Sequence, residues 1–178
     1  MRIFAGLLIG VCALAGLSTP VRANNTFGVA TISGINTNFS ASNVGTNGEA
    51  GEPVPPFPAG NTLQTMWYSW TAPGNGTVTF ETCGYPQTTF DTILASYTGA
   101  SVGALTLITQ NDDAAACPIS GGNIWSSRIT WDVVSGTVYR IQLDGYNAAT
   151  GTFRLAYNFT GFTVNKTVSA ATISVPVT

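Results

Sequence analysis

The chain has 178 residues, and only 8 % of them are charged: six are Lys or Arg, eight are Asp or Glu, and histidine is absent. So few cations build no basic patch against a phosphate backbone, which argues against nucleic acid as a partner. Without histidine, the common serine and cysteine nucleophiles lack their base and zinc lacks a usual ligand, so catalysis has little to stand on and no enzyme is expected.

The first element is a targeting segment. In MRIFAGLLIGVCALAGLSTPVRA, Arg2 supplies the positive start, Ile3 to Leu17 an apolar run, and Val21-Arg22-Ala23 a small-residue cleavage site. The run falls short of the ~20 residues of a spanning helix and no second one follows, so no membrane span is expected. Residues 1–23 read as a signal peptide, and the mature chain as secreted, extracellular or on the cell surface from about Asn24. What remains suffices for one domain with a single core. Cys12 belongs to the signal; Cys83 and Cys117 form an even pair that reads as a disulfide in an exported chain.

Along the rest of the chain, apolar residues alternate with period two, the signature of strands. MWYSW sets Met66, Tyr68 and Trp70 on one face and Trp67 on the other. GTVTFETC offers Val78 and Phe80, and DTILASY offers Ile93, Ala95 and Tyr97. LTLIT reads as a short run buried on both sides. SRITWDVV aligns Ile129, Trp131 and Val133; TVYRIQLD aligns Tyr139, Ile141 and Leu143. GTFRLAYNF aligns Phe153, Leu155, Tyr157 and Phe159 against a wet face carrying Arg154 and Asn158. Turn formers separate these runs at Pro73 to Gly76, Thr98-Gly99, Ser135-Gly136 and Asn147 to Gly151. Short strands without intervening helices argue an all-β fold, an antiparallel β-sandwich of jelly-roll type, in one domain over residues 24–159. Residues 160–178 form a tail or an extra strand, since Ile173, Val175 and Val177 alternate again.

Five ordered segments, GEP (Gly51 to Pro53), MWYSWTAPGNGTVTFETCG (Met66 to Gly84), FDTILASYTG (Phe90 to Gly99), NDD (Asn111 to Asp113) and YRIQLDGYNAATGTFRL (Tyr139 to Leu155), together resemble the bacterial pre-peptidase C-terminal (PPC) type of β-sandwich module, in a secreted variant. The resemblance implies an accessory module of secreted proteins, some members of which bind calcium and an extracellular polymer. It also makes Glu52 a better ligand candidate than Glu49, although both flank a Pro-rich loop and read as solvated.

Calcium takes about six to eight oxygen ligands, and Asn111, Asp112 and Asp113 on a strand-ending loop offer some, with Asp91 and Asp144 joining if the fold gathers those strand ends. The same NDD also reads as a plain Asx-turn facing water. Asp144 before Gly145 reads equally as a turn carboxylate. Of the four tryptophans, Trp70 and Trp131 fall on core faces, whereas Trp67 and Trp125 are candidates to contact a ligand. Two functions follow as expectations. One is a non-catalytic binding module for an extracellular polysaccharide or protein, with calcium as a structural ion. The other is a structural subunit that self-associates into fibres or a surface layer by donating its C-terminal strand.

Overall fold

The computed structural model describes residues 25–55, 63–84, 86–115, 117 and 125–162. The expected signal and the alternating tail at Ile173 to Val177 lie outside them. No described helix is long and apolar enough to cross a membrane.

Among the described residues, nine strands form two facing sheets: β1 Thr31–Ile32, β2 Asn36–Ser42, β3 Met66–Thr71, β4 Gly76–Glu81, β5 Thr92–Thr98, β6 Thr106–Asn111, β7 Arg128–Val133, β8 Val138–Gly145 and β9 Thr152–Gly161. One sheet has the order β1-β3-β8-β5-β6 and the other β2-β9-β4-β7. Every pairing among the described residues is antiparallel except that of β1 with β3. The architecture is an antiparallel β-sandwich. The alternating faces meet between the sheets as the sequence implies: Met66, Tyr68 and Trp70 pack with Val78, Phe80, Ile129, Trp131, Ile141, Leu143, Phe153, Leu155 and Tyr157. Trp70 is central, in edge contact with Phe80 and Tyr157, and its Nε1 donates to the Gly34 carbonyl at 3.1 Å. Strand β2 carries only Phe39 and Ala41 as apolar contributions to this core, too sparse an alternation to be recognised alone.

Two strands depart from the sequence reading. In β5 the residue facing the main core is Leu94, while Ala95 and Tyr97 lie in a second cluster with Trp67, packed by Phe27, Val102 and Leu105 on the outer face of the five-stranded sheet. Both faces of β5 are therefore buried. The LTLIT run is not buried on both sides: β6 is an edge strand, and Leu107 and Ile108 are exposed. A run of apolar residues cannot report whether a further strand lies beyond it.

The expected disulfide joins Cys83 to Cys117 with their Cα atoms 5.1 Å apart. It ties the segment after β4 to the loop between β6 and β7.

Candidate functional site

Strand pairing assembles the acidic site. Asp91 immediately precedes β5, Asp112 and Asp113 immediately follow β6, and these strands are antiparallel neighbours with Leu94 opposite Asn111. The start of one strand thus lies beside the end of the other. One carboxylate oxygen from each of Asp91, Asp112 and Asp113 lies within 4.8 Å of the other two. Asp91 and Asp112 are partly buried and Asp113 is exposed. Among the described residues, Asp91 Oδ1 and Asp112 Oδ1 are buried without a hydrogen-bond partner. Burial pushes the Asp91 carboxyl up to about 7, with the charges of Asp112 and Asp113 adding to it. Burial, then Asp113, pushes Asp112 up to about 6. Three crowded carboxylates, two with idle oxygens, form an all-oxygen donor set suited to a hard cation such as calcium.

The surroundings are braced. The hydroxyl of Ser127 shares its one proton between the Asp112 carbonyl, at 2.7 Å, and the Thr92 carbonyl, and Thr82 and Thr92 share a hydroxyl contact of 2.6 Å. The beginnings of β5 and β7 and the end of β4 are pinned together. Asn111 has a bracing part of its own: its side-chain oxygen accepts from Arg128 N at 3.0 Å and its Nδ2 donates to the Asp113 carbonyl at 3.3 Å. It shapes the turn that aims the aspartates.

Asp144 does not join them. It sits on β8 opposite Ile93, so β5 lies between it and β6, and it is roughly two strand spacings, or about 9.5 Å, from the β6 end that carries Asp112 and Asp113; the group of three carboxylates does not include it. Fully buried, its Oδ1 accepts from Gln64 N at 2.9 Å and Gly145 N at 2.7 Å. Burial pushes it up to about 6 against those two N–H donors, and the Glu52 charge adds to the rise.

Trp67 and Glu52 are also corrected. Trp67 is 1 % exposed and its Nε1 donates to Glu52 Oε1 at 2.7 Å, so it anchors the second cluster and offers no surface to a ligand. Glu52 is buried, not solvated: Oε1 also accepts from Gln142 Nε2 at 3.3 Å, and Oε2 accepts from Glu49 N at 2.6 Å. Glu49 in turn accepts from Phe27 N at 2.9 Å. The two glutamates clasp the N-terminal segment over the outer sheet face. Trp125 is 45 % exposed, and its carbonyl accepts from Thr92 N at 2.9 Å, next to Asp91.

No protein-family model and no curated protein matches the chain. Among solved structures, it is similar to the pre-peptidase C-terminal domain of a collagenase from Bacillus anthracis, over 72 % of this chain and 93 % of that one, at 12 % identity and a TM-score of 0.42. It is also similar to the K1 cleaved adhesin domain of Lys-gingipain from Porphyromonas gingivalis W83, over 69 % and 95 %, at 14 % identity and a TM-score of 0.32. The first is a domain of the kind that the sequence resembles.

One polar surface has no counterpart in the sequence reading. On the outer face of the four-stranded sheet, Asn36, Asn38, Glu81, Arg154 and Asn158 surround Ala156 in a hollow of about 170 Å³. Arg154 and Asn158 are legible as wet-face residues of β9, but their neighbours come from β2 and β4, far away in the sequence.

Proposed function

We propose that the chain is a secreted, non-catalytic β-sandwich module that binds an extracellular polymer or cell-surface partner and is stabilised by calcium held between Asp91, Asp112 and Asp113. The observation that carries this reading is the convergence of those three carboxylates on a braced end of the sandwich, two of them with a buried idle oxygen. The exposed indole of Trp125 lies on the segment bonded to Thr92, so a polymer gripping it would meet a scaffold that the ion holds rigid. Other acids have structural employment that supports a non-catalytic role: Glu52 is buried with both carboxylate oxygens hydrogen-bonded, and Glu81 pairs with Arg128 at 2.6 Å. Retention of the mature chain on immobilised polysaccharides and matrix proteins, with calcium and with chelator, tests the proposal. Failure to bind any of them under either condition refutes it.

Self-assembly is the second reading, favoured by the uncharged edge strand β6 with its exposed Leu107 and Ile108. The register shift between Ser96 and Tyr97 works against it, because irregular edges resist added strands. Size-exclusion chromatography of the full mature chain beside one ending at Phe162 decides: only a tail-dependent polymer supports assembly.

A further inference from the structure

The hollow on the four-stranded sheet has a charge and shape of its own. Its floor is Ala156, with Asn38 opposite on β2 and Glu81 opposite on β4, so one small residue lies between taller side chains. Of the three arginines among the described residues, Arg154 lines the hollow and Arg128 stands beside it on β7, opposite Glu81. Arg128 engages a single oxygen of Glu81, through Nε at 2.8 Å and Nη2 at 2.6 Å. Arg154 is farther from the other oxygen, at 3.9 Å, and is held instead by donating Nη1 to the carbonyl of disulfide-bonded Cys83 at 2.9 Å. With Glu81 neutralised by Arg128 from the β7 side, Arg154 is the surplus cation of this group in a chain whose formal net charge is −2. Around it, Asn36, Asn38 and Asn158 donate their amide N–H groups to no protein acceptor among the described residues.

We propose that this surface binds the carboxylate of a uronic-acid unit in an acidic polysaccharide. Arg154, fixed by the disulfide-linked backbone, meets the carboxylate, and the carboxamides meet the ring hydroxyls. The hollow is well below the roughly 300–1,000 Å³ of a site that engulfs a drug-sized molecule, so it takes one sugar unit of a chain that runs on across the open sheet face. This rests on the binding-module reading and names one class of polymer and one surface for it.

The test is titration calorimetry of the mature chain with oligogalacturonate and with its methyl ester, in chelator. The acid form binds at least tenfold more tightly than the ester, and the difference shrinks with added salt because the contact is charge-assisted. Arg154→Gln and Ala156→Leu each weaken binding at least tenfold, and Asn158→Ala weakens it a few-fold. Ala156→Leu fills the hollow without touching a charge or the Cys83 contact, so it remains informative if Arg154→Gln is poorly folded. Equal binding of acid and ester, full binding by Ala156→Leu, or no binding of oligogalacturonate overturns the proposal. Binding that disappears in chelator also overturns it, by moving the contact to the aspartates. A chain that retains another extracellular polymer but ignores uronates defeats this inference alone and leaves the binding-module reading standing.

Discussion

Replacing Asp112 by Asn separates the two effects of the acidic cluster, because they have opposite signs. Without calcium, Asp112 sits within 4.8 Å of two other carboxylate oxygens. At an effective dielectric of about 20, one such repulsion is worth roughly 3.5 kcal/mol, and solvent and salt at this half-open site reduce it to about 1 kcal/mol. In chelator, Asp112→Asn is therefore more stable than the parent, melting about 3 °C higher for a domain of this size. Calcium reverses the order. With a dissociation constant of about 10⁻⁴–10⁻³ M, typical of extracellular modules, 10 mM calcium stabilises the parent by roughly 1.4–2.7 kcal/mol, or about 4–9 °C. Asp112→Asn loses most of that increment because it removes a charged ligand. Differential scanning calorimetry of both chains, in chelator and across millimolar calcium with magnesium as control, reads all four values. A parent whose melting temperature ignores calcium, or a variant that gains as much as the parent, refutes the assignment of a calcium site here.

The buried Asp144 imposes a pH dependence. Its folded-state carboxyl holds a proton up to about 6 against an ordinary 3.8, so the native state binds the proton more tightly than the unfolded chain does. Stability therefore falls as pH rises from about 4 to 6 and stays down above it, a loss on the order of 3 kcal/mol. Urea unfolding of Asp144→Asn should show a correspondingly flatter profile than the parent across this window, and identical slopes would contradict the account. The two tryptophans singled out in the sequence separate by stability: Trp67→Ala costs about 3–5 kcal/mol, whereas Trp125→Ala stays within about 0.5 kcal/mol and acts on ligand binding only. Denaturant melts of both check this, and equal costs would undo the assignment of Trp67 to the second cluster. Replacing Cys83 and Cys117 by Ser lowers stability by about 3–4 kcal/mol through the freed loop; intact-mass analysis showing two free thiols in exported protein would remove the bridge from the account altogether.

The alternating runs determined strands β3 to β9, the sandwich and most of its core, but not β1 or β2, because a period of two is a local property and the face packed between the sheets must be apolar wherever it falls. The cysteine pairing was legible for an equally simple reason: once Cys12 is assigned to the expected signal, one pair is left to join. NDD and Asp91 were recognisable as ligand types, yet their meeting depended on β5 and β6 being antiparallel neighbours, and the exclusion of Asp144 on β5 standing between it and β6. Trp67 and Glu52 show what alternation cannot report. It assigns a residue to a face but is silent on whether that face meets water, and here the segment from Phe27 to Pro53 covers it and makes a buried indole and a buried carboxylate satisfy one another. The outer hollow arose in the same way, since Asn38, Ala156 and Glu81 lie on three strands whose adjacency is set by sheet topology. Side-chain type and face are written residue by residue along the chain, whereas the neighbour across a sheet and the cover above it are chosen by the free energy of the whole packed arrangement.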